Sequence, residues 1–259
     1  MVILKGGALN VAKDLLRGGP RFAATSAFAG RVPVANGLAL DIRRNTSDLE
    51  VVRQIWRDEQ YAIPYTAHME RLKRFEADIR AGGHVPVIVD AGANIGAAAL
   101  WFAKAWPSAH VVAVEPDAGN AAMARRNCAA FPSIDILEAA IGGAAGFVAT
   151  GGESEAFAVT THRASAGVPI VRIDECVSRV HKGILFAVKL DIEGFEDDLF
   201  AANTGWLDEA KLVYIEPHDH LFPERGSSTN FQAEMGWRNF DVLIRGENLV
   251  YIRREEQTT

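Results

Sequence analysis

From Val85 onward, short β-branched runs alternate with helix-length stretches, and no other feature of the sequence constrains the fold as tightly. Val85-Pro86-Val87-Ile88-Val89, His110 to Val114, Ile134 to Leu137, Val168 to Ile173, Ile184 to Leu190 and Lys211 to Ile215 read as strands. Asn94 to Trp106, Asp117 to Ala130, Asp174 to Val180 and Phe195 to Ala202 read as helices between them. A strand returning parallel to its neighbour needs a crossover of that length, so the pattern predicts a parallel sheet with helices on both faces. Phe231 to Met235 predicts one more helix, ended by Gly236. Asn239 to Arg245 and Leu249 to Arg253, separated by Gly246-Glu247-Asn248, predict a terminal antiparallel hairpin. Residues 142–170 break the rhythm: glycines surround Phe147-Val148-Ala149 and Ala158-Val159-Thr160-Thr161, which predicts a hairpin laid over one edge of the sheet.

Upstream, Val32 to Leu40 reads as a short hairpin. Ser47 with Glu50 has capping-box spacing, and Leu49, Val52, Ile55 and Trp56 recur at helical period, predicting a helix from Asp48 to Gln60. Thr66 is placed to cap a second helix with Met69, Leu72, Phe75 and Ile79 as its stripe, stopping at Gly82-Gly83.

With 259 residues, 49% of them hydrophobic, the chain can bury a core for one α/β domain plus an extension. A net charge of −6 argues against sequence-independent nucleic-acid binding, which needs a basic face. The charge is uneven: residues 1–80 hold 13 Lys and Arg against 9 Asp and Glu, the remainder 14 against 24. Such a basic part suits either a solvated helical face or contact with an acidic acceptor or an anionic membrane surface. Cys128 and Cys176 fall in predicted helices with no Cys or His at metal spacing, so they read as small buried hydrophobes. No stretch approaches the ~18 apolar residues of a membrane span. No apolar leader-type run follows Met1, and the expectation is a cytoplasmic location.

Asp90-Ala91-Gly92-Ala93-Asn94-Ile95-Gly96 follows a strand and opens a helix. Glycine lets backbone approach a ligand, and the helix N-terminus presents unpaired N–H groups to it. A dinucleotide site requires G-x-G-x-x-G, but Asn94 stands where the second glycine belongs. Asp90 would also set a negative charge near a pyrophosphate. Both departures disfavour a dinucleotide and suit a zwitterionic, cationic cofactor. Glu115 ends the next strand, about 20 residues on, where nucleotide sites place an acid on the ribose hydroxyls. Its alternative is an acid at the N-terminus of the helix that follows.

Three stretches in order carry a family resemblance: Val89 to Gly96, Ala113-Val114-Glu115-Pro116, and Val188-Lys189-Leu190-Asp191-Ile192-Glu193-Gly194-Phe195-Glu196. Together they resemble the FkbM-type S-adenosylmethionine-dependent methyltransferase family. Ala140-Ile141-Gly142, Val171 to Glu175, and Ser47-Asp48-Leu49 with Glu59-Gln60-Tyr61 agree with it. The likeness spans about residues 45–245. It implies a class I methyltransferase (Rossmann-like) fold: a seven-stranded, mostly parallel sheet with an antiparallel terminal hairpin and an N-terminal helical extension. The domain division expected is 1–80 for that extension, mainly helical, and 81–259 for the methyltransferase catalytic domain. The resemblance implies O-methylation of a hydroxyl, with sugar or glycoconjugate acceptors expected and a secondary-metabolite (polyketide-type) hydroxyl as the alternative. Another class also stands: an adenosylmethionine-binding partner protein without catalysis. Cofactor contacts are expected from Asp90, Gly92, Asn94, Gly96, Glu115 and, near adenine, Ala140.

Ligands of a parallel sheet gather beyond the carboxyl ends of its strands. Asp191 and Glu216 fall at such ends, so Asp191, Glu193, Glu216, His218 and His220 could surround one pocket. The sulfonium is already a good leaving group, so alignment supplies much of the catalysis, while an alcohol must still lose a proton. Asp191, Glu193, His218 and Lys189 are the catalytic candidates. A bound Mg²⁺ on Asp191 and Glu216 is the metal-assisted alternative. Each has a plainer reading: Lys189 pairing with Asp191 or Glu193, Glu193 capping the helix at Phe195, His218 and His220 as surface loop residues. Trp56, Tyr61 and Tyr65 either line the pocket or fill the core. The Asn/Asp-Pro-Pro-aromatic turn of base-amine methyltransferases is absent from Leu190 to Phe195, which disfavours action on nucleobases.

Overall fold

The computed structural model describes residues 30–150 and 161–255. Its first elements are a two-stranded hairpin, β1 (Arg31–Pro33) and β2 (Ala39–Asp41), with Val32 opposite Leu40 and both fully buried. Helix α1 (Asp48–Val52) follows and runs into a π-helical turn, Arg53–Arg57. The predicted helix to Gln60 is therefore shorter, and Ser47 makes no side-chain cap bond. The Asp48 carboxylate instead turns back onto the backbone N–H and guanidinium of Arg43. Helix α2 (Thr66–Ala81) buries Leu72 and Ile79 and stops at Gly82-Gly83, as its periodicity predicts; Thr66 lends no side-chain cap.

The central sheet contains β3 (Val85–Ala91), β4 (His110–Glu115), β5 (Ile134–Glu138), β10 (Gly183–Leu190), β11 (Leu212–Ile215), β12 (Phe240–Arg245) and β13 (Asn248–Arg253). Their spatial order is β12-β13-β11-β10-β3-β4-β5. The five strands from β11 to β5 are parallel, and β13 is inserted antiparallel between β11 and β12. This is the mostly parallel seven-stranded sheet with an antiparallel hairpin that the sequence predicts. Pro86 is tolerated in a central strand because pairing with β4 begins only at Val87.

Helices α3 (Ala97–Ala105) and α4 (Ala118–Cys128) are the first two crossovers. The predicted start of α3 at Asn94 moves to Ala97 because Asn94 and Gly96 take positive φ, 49° and 81°. The excursion between 139 and 171 forms its own four-stranded sheet, β6 (Ala140–Ile141), β9 (Val168–Val171), β7 (Gly146–Thr150) and β8 (Thr161–Ala164), rather than a hairpin on the central edge. Of the predicted second strand of that hairpin, 158–160 lie outside the described residues. β9 stops at Val171 because the Arg172 N–H is claimed by the Glu175 carboxylate at 2.8 Å, which opens α5 (Ile173–Ser178). Helices α6 (Glu196–Phe200), α7 (Trp206–Glu209) and α8 (Thr229–Gly236) complete the chain; α7 was not anticipated from the sequence.

Alternation along the strands splits the core into two. Val87 and Val89 face α5 to α8, together with Val112, Val188 and Val213. Ile88, Ala113 and Tyr214 face the other way, onto the 32–79 elements and α3. Tyr61 meets Trp101 and Tyr214 there edge to face and Phe102 at a tilt, so Tyr61 belongs to the core, whereas Tyr65 is exposed. The Tyr214 hydroxyl donates to the Tyr61 carbonyl at 2.7 Å. Tyr214→Phe leaves that buried carbonyl without its donor and is expected to cost about 1–3 kcal/mol, read as a lower urea midpoint at unchanged slope.

Candidate functional site

The site grows from the end of β3. Gly92 has φ +77, and a Cβ there would stand 1.8 Å from the Asp191 carbonyl oxygen, so only glycine lets the loop pass the end of β10. The N–H groups of Gly92 and Ala93 both donate to the Val114 carbonyl, at 2.9 and 3.0 Å, folding the loop over the end of β4. The Asn94 N–H donates to Glu115 Oε2 at 2.8 Å. Gly96 serves packing: a Cβ would lie 2.9 Å from Cys128 Sγ and 3.1 Å from the Ala124 Cα of the facing helix. Cys128 and Cys176 are both buried, as their positions in predicted helices suggest.

Glu115 is the last residue of β4. Its Oε1 accepts from the Asp117 N–H at 3.0 Å and from Asn120 Nδ2 at 3.3 Å. Burial raises its pKa, and those donors work against the rise. A cavity of about 230 Å³ opens here, lined by Gly92, Asn94, Glu115, Ala140, Asp191 and Glu193, with Arg43, Ser47 and Asn120 from the other wall. Asn94 Oδ1 is buried on that lining and has no partner among the described residues. Of the expected cofactor residues, Gly92, Asn94, Glu115 and Ala140 line the cavity, while Asp90 and Gly96 stand behind it.

Lys189 explains the place of Asp90. Its ammonium, 2% exposed, donates to the carbonyls of Ala91 and Gly92 at 3.2 and 2.7 Å and lies 3.4 Å from both Asp90 and Asp191. Burial opposes its charge, but Asp191 and Asp90 outweigh that and hold it above the ordinary lysine range. Burial likewise raises Asp90, against the pull of Lys189.

Around His218 the ends of β10 and β11 meet. His218 is 3% exposed; its Nδ1 lies 2.7 Å from Glu196 Oε1, and its Nε2 lies 3.6 Å from both Asp191 and Glu193 and 4.0 Å from Glu216. Burial disfavours the imidazolium, yet the hydrogen bond to Glu196 and the surrounding carboxylates prevail and hold His218 above the ordinary histidine range. Burial, then Asp191, raises Glu216 above the usual carboxylate range. Glu193, at φ +52, is raised by burial as well. Among the described residues, Asp191, Glu193 and His218 offer ligand atoms within 4.8 Å of one another. Glu216, expected to share a metal with Asp191, lies beside that set. His220 stacks on His218 with ring centroids 6.1 Å apart.

Three participants escaped the sequence reading. Glu196 closes the stretch from Val188 that carries the family resemblance, and its position in the first turn of a predicted helix was the available signal. Asn120, on the helix after Glu115, offered only proximity. Arg43 offered none, since only folding brings it to the cavity.

Residues 90–238 match the methyltransferase FkbM domain. No curated protein matches the chain significantly. Among solved structures, a candidate caffeoyl-CoA O-methyltransferase from Staphylococcus aureus is similar at 15% identity over 79% of this chain and 91% of its own, with a TM-score of 0.40. A methyltransferase from Geobacter sulfurreducens is similar at 17% identity over 80% and 89%, TM-score 0.38. A candidate O-methyltransferase from Klebsiella pneumoniae is similar at 9% identity over 79% and 90%, TM-score 0.41. Such distant likenesses decide nothing about chemistry; the domain match and the geometry carry it. Gly92→Ala is expected to cost about 3 kcal/mol and to lower Tm by roughly 6–12 °C. Gly246→Ala, at φ +59 with open space around it, should cost about 1 kcal/mol in the same thermal scan.

Proposed function

Because the chain belongs to the FkbM methyltransferase family, whose domain matches residues 90–238, we propose that it is an O-methyltransferase acting on a hydroxyl of a sugar or glycoconjugate, with S-adenosylmethionine, the donor that the family implies. The observation that carries this reading is one cavity bounded by the glycine loop, by the buried Glu115 and by the acids at the end of β10. When bound, the cofactor supplies an electrophilic methyl group on a sulfonium. The residues present fit it: Glu115 can accept from a ribose hydroxyl, Asn94 Oδ1 has no other partner among the described residues, and Asp191 and Glu193 give the lining a field suited to a cation.

Two features support a polyhydroxylated acceptor. A second cavity of about 330 Å³ is lined by Gln54, Asp58, Gln60, Arg245 and Glu247, all of them hydrogen-bonding side chains. Beyond its burial, Glu216 is raised by the charges of Asp191, which lines the first cavity, and of Glu247, which lines the second. It is faced also by His218 and Lys189. With His218 held as a cation by Glu196, the raised Glu216 is the group suited to take the acceptor's proton, and Asp191 and Glu193 orient the acceptor. Lys189, committed to loop carbonyls, positions the loop. A hard Mg²⁺ prefers oxygen ligands, and the compact set here includes an imidazole paired to Glu196. We therefore assign the step to alignment and Glu216 rather than to Mg²⁺, and EDTA is expected to leave turnover unchanged.

Calorimetric titration with S-adenosylhomocysteine should show binding that Glu115→Ala weakens at least about tenfold, ~1.4 kcal/mol; a folded wild type that does not bind would overturn the reading. Release of S-adenosylhomocysteine should follow with glycosides and not with simple alcohols. The reverse preference would move the acceptor to a secondary-metabolite hydroxyl, and binding without turnover on either would favour a partner protein. The rate should rise with pH through an ionisation above the ordinary glutamate range, since the base acts deprotonated. Glu216→Gln should remove that limb and slow turnover by about 10²–10⁴.

A further inference from the structure

The cofactor cavity has a wall that the matched domain does not supply. Arg43 and Ser47 line it, yet both precede residue 90. Arg43 is tightly held on one side: its Nε and Nη2 reach the two oxygens of the fully buried Asp48 at 2.9 and 2.8 Å. The same Nη2 donates to Asn120 Oδ1 at 2.6 Å. A guanidinium has donors and no acceptor, so it dictates which way the Asn120 amide faces. With the oxygen claimed by Arg43, the NH₂ group is left pointing to Glu115, where it donates to Oε1 at 3.3 Å. A chain of polar contacts thus runs Asp48, Arg43, Asn120, Glu115.

The segment is fastened at a second point. Asn127 lies on the same helix face as Asn120, two turns on. Its amide exchanges hydrogen bonds with the backbone of Asp41, at 2.8 and 3.1 Å, and also donates to the Ile95 carbonyl in the glycine loop at 2.9 Å. Residues 41–48 are therefore bound at two points to α4, whose Asn120 reaches Glu115 and whose Asn127 reaches the glycine loop.

We propose that residues 41–48 form a strap completing the adenosine end of the cofactor site, with Arg43 as a positioning residue that acts through Asn120 on the Glu115 carboxylate. The proposal rests on the reading of this cavity as the S-adenosylmethionine site. Arg43 keeps Asn120 as a donor to Glu115, which with the Asp117 and Asn94 N–H groups leaves one acceptor direction, on Oε2, for a ribose hydroxyl. Its effect is accordingly specific to a ligand that carries that hydroxyl.

The full chain is titrated with S-adenosylhomocysteine and with its 2′-deoxy analogue, using wild type, Arg43→Ala, Arg43→Lys, Asn120→Ala and the Arg43→Ala, Asn120→Ala double variant. Arg43→Ala and Asn120→Ala should each weaken S-adenosylhomocysteine about tenfold, and the double variant should be no weaker than either single one, because both break one chain. Arg43→Lys should also be weakened, since one ammonium cannot serve Asp48 and Asn120 in the forked geometry. The preference for the ribose hydroxyl should shrink in each variant, which a merely loosened fold would not produce. Should Arg43→Ala fail to fold with Asp48 unpaired, Asn120→Ala and Arg43→Lys decide the matter. A wild type that binds while Arg43→Lys and Asn120→Ala bind equally well, or additive losses that spare the deoxy discrimination, would overturn the strap alone. A wild type that binds neither ligand would overturn the cofactor reading and the strap with it.

Discussion

The buried ammonium of Lys189 is the interaction on which the site depends. It joins two strand ends: its charge sits between Asp90 on β3 and Asp191 beyond β10, and its protons go to the carbonyls of Ala91 and Gly92. The Ala91 carbonyl accepts from the Asp191 N–H as well, at 3.2 Å, while the Gly92 carbonyl, beyond the ladder, takes its proton from this side chain of the adjacent strand. A buried pair of this kind adds little net stability against a hydrophobic replacement, but losing one member strands a charge in the interior at a cost of ~3–5 kcal/mol. What the arrangement secures is the path of the loop, and from that path follow the close approach of Gly92 to Asp191 and the amide of Asn94 on Glu115.

A second organisation is superposed on the first, and it concerns protons. Asp191 is shared by Lys189 and His218, each of which is held as a cation by more than one carboxylate. Acids therefore outnumber bases at the ends of β10 and β11, and not all can be neutralised. The surplus appears as raised carboxyl groups, Glu193 and Glu216, in a half-buried setting where desolvation penalises the anion. For the O-methylation proposed above, that surplus supplies a field that welcomes a cation and a weakly acidic carboxyl group able to exchange a proton.

The N-terminal elements complete the enclosure. Residues 32–79 share one hydrophobic core with α3 and with one face of the central sheet. The burial of Tyr61 against Phe102 and Tyr214 brings the π-helical turn beside the β12–β13 turn, where the second, polar cavity lies. The burial of Asp48 under Arg43 brings the strap over the first. Both placements arise from packing onto a sheet made by residues far along the chain.

Much of this was legible in the residues. The order of the central-sheet strands from Val85 to Arg253 and of the helices between them, α7 and the 139–171 excursion apart, was set by local periodicity and by β-branched runs, which act over a few residues and can be read there. So could the glycine loop, because a positive φ and a close backbone approach leave few residue types that fit. Errors fell where a local signal competed with a distant partner: Ser47 had the spacing of a cap, but Asp48 was claimed by Arg43, and the helix beyond Val52 became a π turn. The sequence by itself determined the alternating sheet, the family-bearing loops and the acids at the strand ends. Only the tertiary structure decided that Asp90 and Lys189 are interior partners, that Glu196 backs His218, and that Arg43 reaches Asn120. Those pairings join residues brought together by sheet order and by burial, and the free energy of a buried charge depends on neighbours that no local stretch of sequence contains.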